Sequence, residues 1–320
     1  MKLAAFASCL PHNTLDEALD YLVAHEIYGL ELGVGGYPGT RHADARLLAG
    51  DNAACARLRN TCQSHGVELI ALSCHGNPLH PDATIAAAHD ADFRAALEAA
   101  SEMEIPVVVG FSGQPGTGGV LNWPVIGWPQ EYADQFEHQW RESLIPYWQP
   151  LTERARALGV KIALELHGGF AVHSPATLRR LREACGPALG ANVDPSHLWW
   201  QGIDPARAIQ RLGDAVFHVH LKDVCFRPDV MDDAGLLDCT PHARMDERAW
   251  YFAPPGEGHD AAAWQGILDT LHAIDYCGAL SIEHEGYAPA TEAMAATARW
   301  MRALSLRERR SATRTSTTTS

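Results

Sequence analysis

The sequence predicts an α/β chain closed into a single (β/α)8 barrel. Eight short apolar runs recur along the 320 residues, and an amphipathic stretch follows each of them. Strand–helix alternation of this kind builds a parallel sheet. Eight such units in about 300 residues match the size of a TIM barrel. The alternative, an open doubly wound sheet, is weakened because no GxGxxG follows the first run.

Each strand is read from a short apolar or alternating run, and each helix from apolar residues at helical spacing. Lys2–Ser8 leads to a helix over Thr14–Glu26, and Gly29–Val34 to Asn52–His65. Glu68–His75 precedes Thr84–Ser101, and Pro106–Ser112 precedes Gln135–Ala157. In the second half, Lys161–His167 pairs with Ser174–Ala184 and Leu189–Asp194 with Pro205–Leu212. Val216–Asp223 and Ala261–Ile274 follow, and Gly278–Glu285 with Thr291–Leu304 completes the set. Two connections exceed what such barrels need, Gly113–Glu131 and Cys225–His259; both are expected over the C-terminal face, as lids or specificity loops or else as surface decoration. The barrel is assigned to residues 1–305. The polar, low-complexity stretch 306–320 is expected to be a disordered tail.

Composition narrows the function. The formal charge is −14, and no Lys/Arg-rich block interrupts the body of the chain, which argues against nucleic acid or an anionic membrane as partner. Eight scattered cysteines without a CxxC fit reduced thiols and a cytoplasmic setting. No apolar run is long enough to span a bilayer, and Leu3–Leu10 is too short for a signal peptide. Seventeen histidines in so acidic a chain point to acid/base or metal chemistry.

Strand alternation locates that chemistry. In KIALELH, Ala163, Glu165 and His167 share one face, with Ile162, Leu164 and Leu166 on the other. The apolar set suits the helix layer, so Glu165 points into the barrel. By the same rule Asn192 and Asp194 of ANVDPSH point inward, as do His218, His220 and Lys222 of FHVHLKD, with Phe217, Val219 and Leu221 outward. Ser281, Glu283 and Glu285 of SIEHE also point inward, and either glutamate suits the last position. Barrel interiors are ordinarily filled by Val, Ile and Leu, and isolated charges there are costly. A divalent cation such as Mn2+, Mg2+ or Co2+ compensates three carboxylates and an imidazole most simply. A polar network of Lys222 and the histidines with the acids is the competing explanation.

The strings ALELHGG (163–169), NVDPSHLWWQG (192–202), HVHLKD (218–223) and LSIEHEG (280–286), in this order, resemble the xylose isomerase-like TIM-barrel superfamily, and within it the sugar phosphate isomerases/epimerases. ALSCHGNPLHP (71–81) and GEGHD (256–260) fit the same group. The resemblance implies a divalent metal, Mn2+ first and Mg2+, Co2+ or Zn2+ as alternatives, on Glu165, Asp194, His220 and Glu283. It implies that Glu165 and Glu283 exchange a proton with substrate carbon, with His197 beside a substrate oxygen. The chemistry expected is enolisation of a sugar or keto-sugar by carboxylate-mediated proton abstraction. Epimerisation or isomerisation comes first; β-elimination from a 3-keto-glycoside, O- or C-linked, is the alternative.

Further candidates are weaker. His75, Asn77, His167 and Lys222 are substrate-binding candidates, with structural roles as the alternative for each. Glu31 reads as a rim group or a structural partner. GEGHD reads as a turn in which Asp260 caps the next helix, with a substrate contact by His259 the other choice. The apurinic endonucleases share the resemblance but place a histidine at the end of the fourth strand, where this chain reads VVVGFSG. The partner expected is a small carbohydrate, and a homo-oligomer or an accessory-subunit role stays open.

Overall fold

The computed structural model describes residues 1–315, with side chains through 304. Eight parallel strands close into a barrel: β1 (Lys2–Phe6), β2 (Gly29–Gly33), β3 (Glu68–Ser73), β4 (Val107–Gly110), β5 (Lys161–Glu165), β6 (Leu189–Val193), β7 (Val216–Leu221) and β10 (Ala279–Ile282). The remaining pair, β8 (Asp223–Phe226) and β9 (Trp250–Ala253), forms a separate antiparallel ribbon. Lys2 pairs with Ala279, so the first strand closes on the last and no sheet edge is left in the barrel. The predicted single (β/α)8 TIM barrel is the observed fold.

Most strands end one to three residues before the alternating pattern does. Glu283 and Glu285 thus follow β10, and His167 follows β5, on segments that have left the ladder. Helix starts follow the caps. Thr14 accepts from Glu17 N and the Glu17 carboxylate returns to Thr14 N, a reciprocal capping box that starts Leu15–Ala24. Asp260 accepts from the backbone of Ala262 and Ala263 and starts Ala261–Ala273, as expected. The helix expected over 135–157 is interrupted: Gln130–Gln139 and Ile145–Ala157 flank a π turn at Trp140–Leu144. Pro146, at the start of the second helix, withholds the backbone donor that would bond Glu142 O, which loosens the ladder there. The last helix is Ala290–Thr315, so it overlaps the expected tail; residues 316–320 lie outside the described residues.

Phe217 departs from the outward placement predicted for it. A register shift between Ala191 and Asn192 skips Phe217 in the β6–β7 pairing. The ring packs with Ala71, Val107, Val109 and Ala163, which fill the barrel floor. Gly190 makes the room, since a Cβ there would lie 2.5 Å from the Phe217 ring. The barrel interior is therefore apolar at the bottom and polar at the mouth. The helix layer packs around it on Trp148 and Trp264, both fully buried, and the described cysteines are all free.

The two long connections are more structured than loops. The first is pinned at its base, where Gln139 Nε2 donates to Pro115 O at 2.8 Å and Trp123 Nε1 to Phe170 O at 3.0 Å. Its tip exposes Val120, Leu121, Ile126 and Trp128. The second contains the β8–β9 ribbon and the helix Pro228–Ala234. Asp223, read from sequence as the end of a strand, begins this ribbon. No described helix is long and apolar enough to cross a membrane.

Candidate active site and metal centre

The mouth of the barrel gathers Glu165 from the end of β5, Asp194 just after β6, His220 from β7 and Glu283 just after β10. One ligand atom from each lies within 4.8 Å of the others. Glu285 stands outside this group: it is 45% exposed and reaches Lys222 Nζ at 2.9 Å. Of the two glutamates left open by the sequence, Glu283 is the one placed in the cluster.

Every member is positioned by a neighbour. His75 Nε2 lies 2.9 Å from Glu165 Oε2, and Asn192 Nδ2 donates to the same oxygen at 3.3 Å. Asp194 caps the short helix Pro195–Trp200, its Oδ1 accepting from Ser196 N at 2.8 Å and Ser196 Oγ at 2.7 Å. That helix carries His197, whose Nε2 stands 3.2 Å from Glu165 Oε1. Glu31, on β2, accepts from Ser73 Oγ and meets His218 Nε2 at 2.8 Å and His220 Nε2 at 3.1 Å. With Nε2 held by Glu31, His220 turns Nδ1 toward Glu283, at 3.0 Å, and Glu165, at 3.7 Å. A carboxylate behind an imidazole in this way fixes the orientation of a metal-ligating histidine.

Electrostatically the site is dominated by acids. Burial acts to raise the Glu165 carboxyl, but His197, His75 and His220 outweigh it and hold it well below the usual carboxylate range. Glu283 likewise falls to about 2, burial being overcome by Lys222 and His220. Burial disfavours charge on Lys222, yet Asp194, Glu283 and Glu285 around it keep it protonated. His167 goes the other way: burial, with His197 beside it, lowers it to about 3, so this ring is neutral.

The residues fit a divalent cation. Lys222 Nζ meets Asp194 at 3.0 Å, Glu283 at 2.7 Å and Glu285 at 2.9 Å, while Glu31 and Glu165 have imidazoles as their only ion-pair partners among the described residues. Asp194 Oδ2, buried, has no close partner but the Lys222 ammonium at 3.0 Å, and buried His197 Nε2 faces only the Glu165 and Asp194 carboxylates, at 3.2 and 3.6 Å. Oriented acceptor atoms of this kind in a dry, acid-rich setting are what a hard cation satisfies.

The cluster opens into a cleft of about 400 Å3 lined by Phe6, Tyr37, His75, Phe111, His167 and Lys222 among others. His75, His167 and Lys222 thus reach it directly. Asn77 does not line it: its side chain accepts from Leu79 N and Gln114 N and donates to Gln114 O, so it braces the first long connection. His259 is also elsewhere, held by Asp223 and stacked on Trp199 at 3.7 Å. Gly258 permits that turn, since a Cβ would lie 2.0 Å from Val224 O. Phe6 and Phe111, which the sequence reading passed over as strand residues, flank the imidazoles, Phe111 lying 4.6 Å from His75 and 4.8 Å from His167.

Fold and site together define a (β/α)8 barrel with an acid-rich polar centre at its C-terminal mouth. The chain belongs to the xylose isomerase-like TIM-barrel family, whose model matches residues 19–304. It is 33% identical over 299 residues to the uncharacterized protein YfiH of Bacillus subtilis (strain 168), covering 92% of this chain and 95% of that one. An inosose dehydratase of Geobacillus kaustophilus (strain HTA426) is 29% identical over 175 residues, covering 52% of this chain and 53% of the relative. The fold is shared with the 3-keto-D-glucoside 4-epimerase YcjR from E. coli at a TM-score of 0.64, with 17% identity, 95% of this chain and 99% of that chain covered.

Proposed function

We propose that this protein is a divalent-metal-dependent enzyme that isomerises or epimerises a sugar or keto-sugar by carboxylate-mediated proton transfer. The observation that carries the reading is the convergence of Glu165, Asp194, His220 and Glu283 within 4.8 Å at the floor of an open cleft. These four would hold the metal, Mn2+ first and Mg2+, Co2+ or Zn2+ as alternatives. A bound divalent ion supplies Lewis acidity to a substrate carbonyl and so acidifies the neighbouring C–H.

The chain's own residues account for the proton. Glu165 is ionised and shielded from water, so it accepts a proton from a carbon placed against it; His75 and His197 hold its two oxygens in place. Glu283, also ionised at rest, stands across the cluster; it takes up a proton from solvent and delivers it to the other side of the enediolate, while Glu165 releases the abstracted proton to solvent and so closes the cycle. Lys222 sets positive charge beside the developing oxyanion. Neutral His167 offers a hydrogen bond to a substrate hydroxyl. Kinship to dehydratases and an aromatic cleft beside the carboxylates support a second outcome, β-elimination from a 3-keto-glycoside.

Incubation of the Mn2+-loaded enzyme with keto-sugars in D2O tests the reading. Deuterium beside the carbonyl, with an epimer or isomer accumulating, is expected. Release of an aglycone from a 3-keto-glycoside selects the lyase outcome, and absence of exchange with every keto-sugar contradicts both.

Glu31 yields a separate prediction. Glu31→Gln keeps the shape but weakens the grip on His220 Nε2, and Mn2+ affinity is expected to fall by about 10–100-fold. Titration of stripped protein with Mn2+ measures it; an unchanged Kd would remove Glu31 from the metal-positioning role.

A further inference from the structure

A second cleft, of about 650 Å3, adjoins the first and shares His167, His197 and Glu285 with it. The two differ in chemistry. The first is walled by carboxylates, imidazoles and Lys222; the second lies between the two long connections and is walled by Trp123, Trp200, Trp250, Phe252, Leu236 and Val125. Trp200 and Trp250 stack with ring centroids 4.9 Å apart, 7° from parallel, and the Arg248 guanidinium lies 4.3 Å over Trp250. The indole N–H groups of Trp123 and Trp250 are taken up by Phe170 O at 3.0 Å and Leu236 O at 3.1 Å. Trp123 and Trp250 therefore bring apolar carbon rather than donors to the cleft, and Trp200 and Trp250, mostly buried against each other, form its firm wall. Leu237 and Val125, at its rim, are 60% and 44% exposed. A monosaccharide in the polar cleft would leave this second cleft unfilled and its apolar rim, Val125 and Leu237, in water.

The geometry points to a subsite for a flat aromatic group joined to the sugar, which makes an aryl glycoside the substrate class. The inference rests on the proposed function, in that the sugar ring occupies the polar cleft. Continuity decides the occupant, because His167, His197 and Glu285 line both clefts: a ligand lying past the edge of the close-packed His167–His197 pair, whose ring centroids are 3.9 Å apart, sets its polar half on the acids and its aromatic half among the tryptophans. Trp200 Nε1 also approaches His197 Nδ1 at 3.4 Å, so the aromatic wall and the candidate catalytic imidazole touch.

Calorimetric titration of the Mn2+-loaded protein with methyl β-D-glucoside, 4-nitrophenol and 4-nitrophenyl β-D-glucoside tests this. The joined compound is expected to bind at least about tenfold more tightly than either part, as burial of one aromatic ring provides. Trp250→Ala and Leu237→Asp should abolish that advantage and leave methyl glucoside binding unchanged; Leu237 is exposed, so its variant tests the cleft without disturbing the core. Equal affinity for the methyl and nitrophenyl glycosides, no binding of the nitrophenyl glycoside, or an advantage indifferent to both substitutions overturns the subsite. Nitrophenol binding as tightly as its glucoside overturns the joined substrate. Deuterium exchange into a keto-sugar, which needs only the polar cleft, reports separately on the proposed reaction.

Discussion

Glu165→Gln is expected to fold normally and to lose about 10^2–10^4-fold in turnover at saturating metal, the range that removal of a general base produces. The amide keeps the volume of the carboxylate and one oxygen for a cation, but it cannot accept a proton from carbon. Stability should change little, because two effects oppose one another. The imidazoles of His75, His197 and His220 lose a charged partner, while Glu283 is relieved of a like charge nearby. Thermal unfolding followed by circular dichroism checks the fold, and kcat on the substrate found by deuterium exchange checks the chemistry. A variant within tenfold of the parent rate would remove Glu165 from the role of base.

Asp223→Ala is expected to have the largest effect on stability, about 4 kcal/mol, since it strands several buried donors that each cost about 1–3 kcal/mol when unsatisfied. Asp223 is fully buried. It accepts from Val224 N at 2.8 Å, Gly256 N at 3.1 Å, His259 N at 3.0 Å and Trp264 Nε1 at 3.1 Å, and it meets His259 Nδ1 at 2.7 Å. One carboxylate thereby ties the β8–β9 ribbon and the GEGHD turn to the helix Ala261–Ala273. Denaturant unfolding measures the loss, and Asp223→Asn, which retains an acceptor, should lie between the two. A loss below about 1 kcal/mol would show that water replaces the carboxylate in these contacts.

Much of this molecule was legible in the sequence because two periodicities govern a βα barrel. Side-chain facing survived even where ladder pairing did not: Glu283 follows β10 rather than lying on it, yet reaches the cluster. Local alternation fails where a bulge intervenes, and Phe217 is part of the barrel floor because β7 carries an extra residue opposite the Ala191–Asn192 step. Partnerships across long separations left no local trace. Glu31 is a lone acid in LELG, and nothing around it announces histidines 187 and 189 residues away. The β8–β9 ribbon is silent in the sequence for the same reason, its strands being four residues each and set apart by an irregular excursion. Asn77 stands beside His75 past a strand end, which in sequence suggests a substrate contact, and only packing shows that its amide turns to Gln114.

The metal centre is the claim on which the rest depends, and Mn2+ titration of stripped protein followed by electron paramagnetic resonance tests it most directly. One tight ion per chain is predicted for the parent. Asp194→Asn is expected to weaken that site, while Glu285→Gln, at the exposed position outside the cluster, leaves it intact. Absence of stoichiometric binding, or a tight site indifferent to Asp194→Asn, would contradict the account.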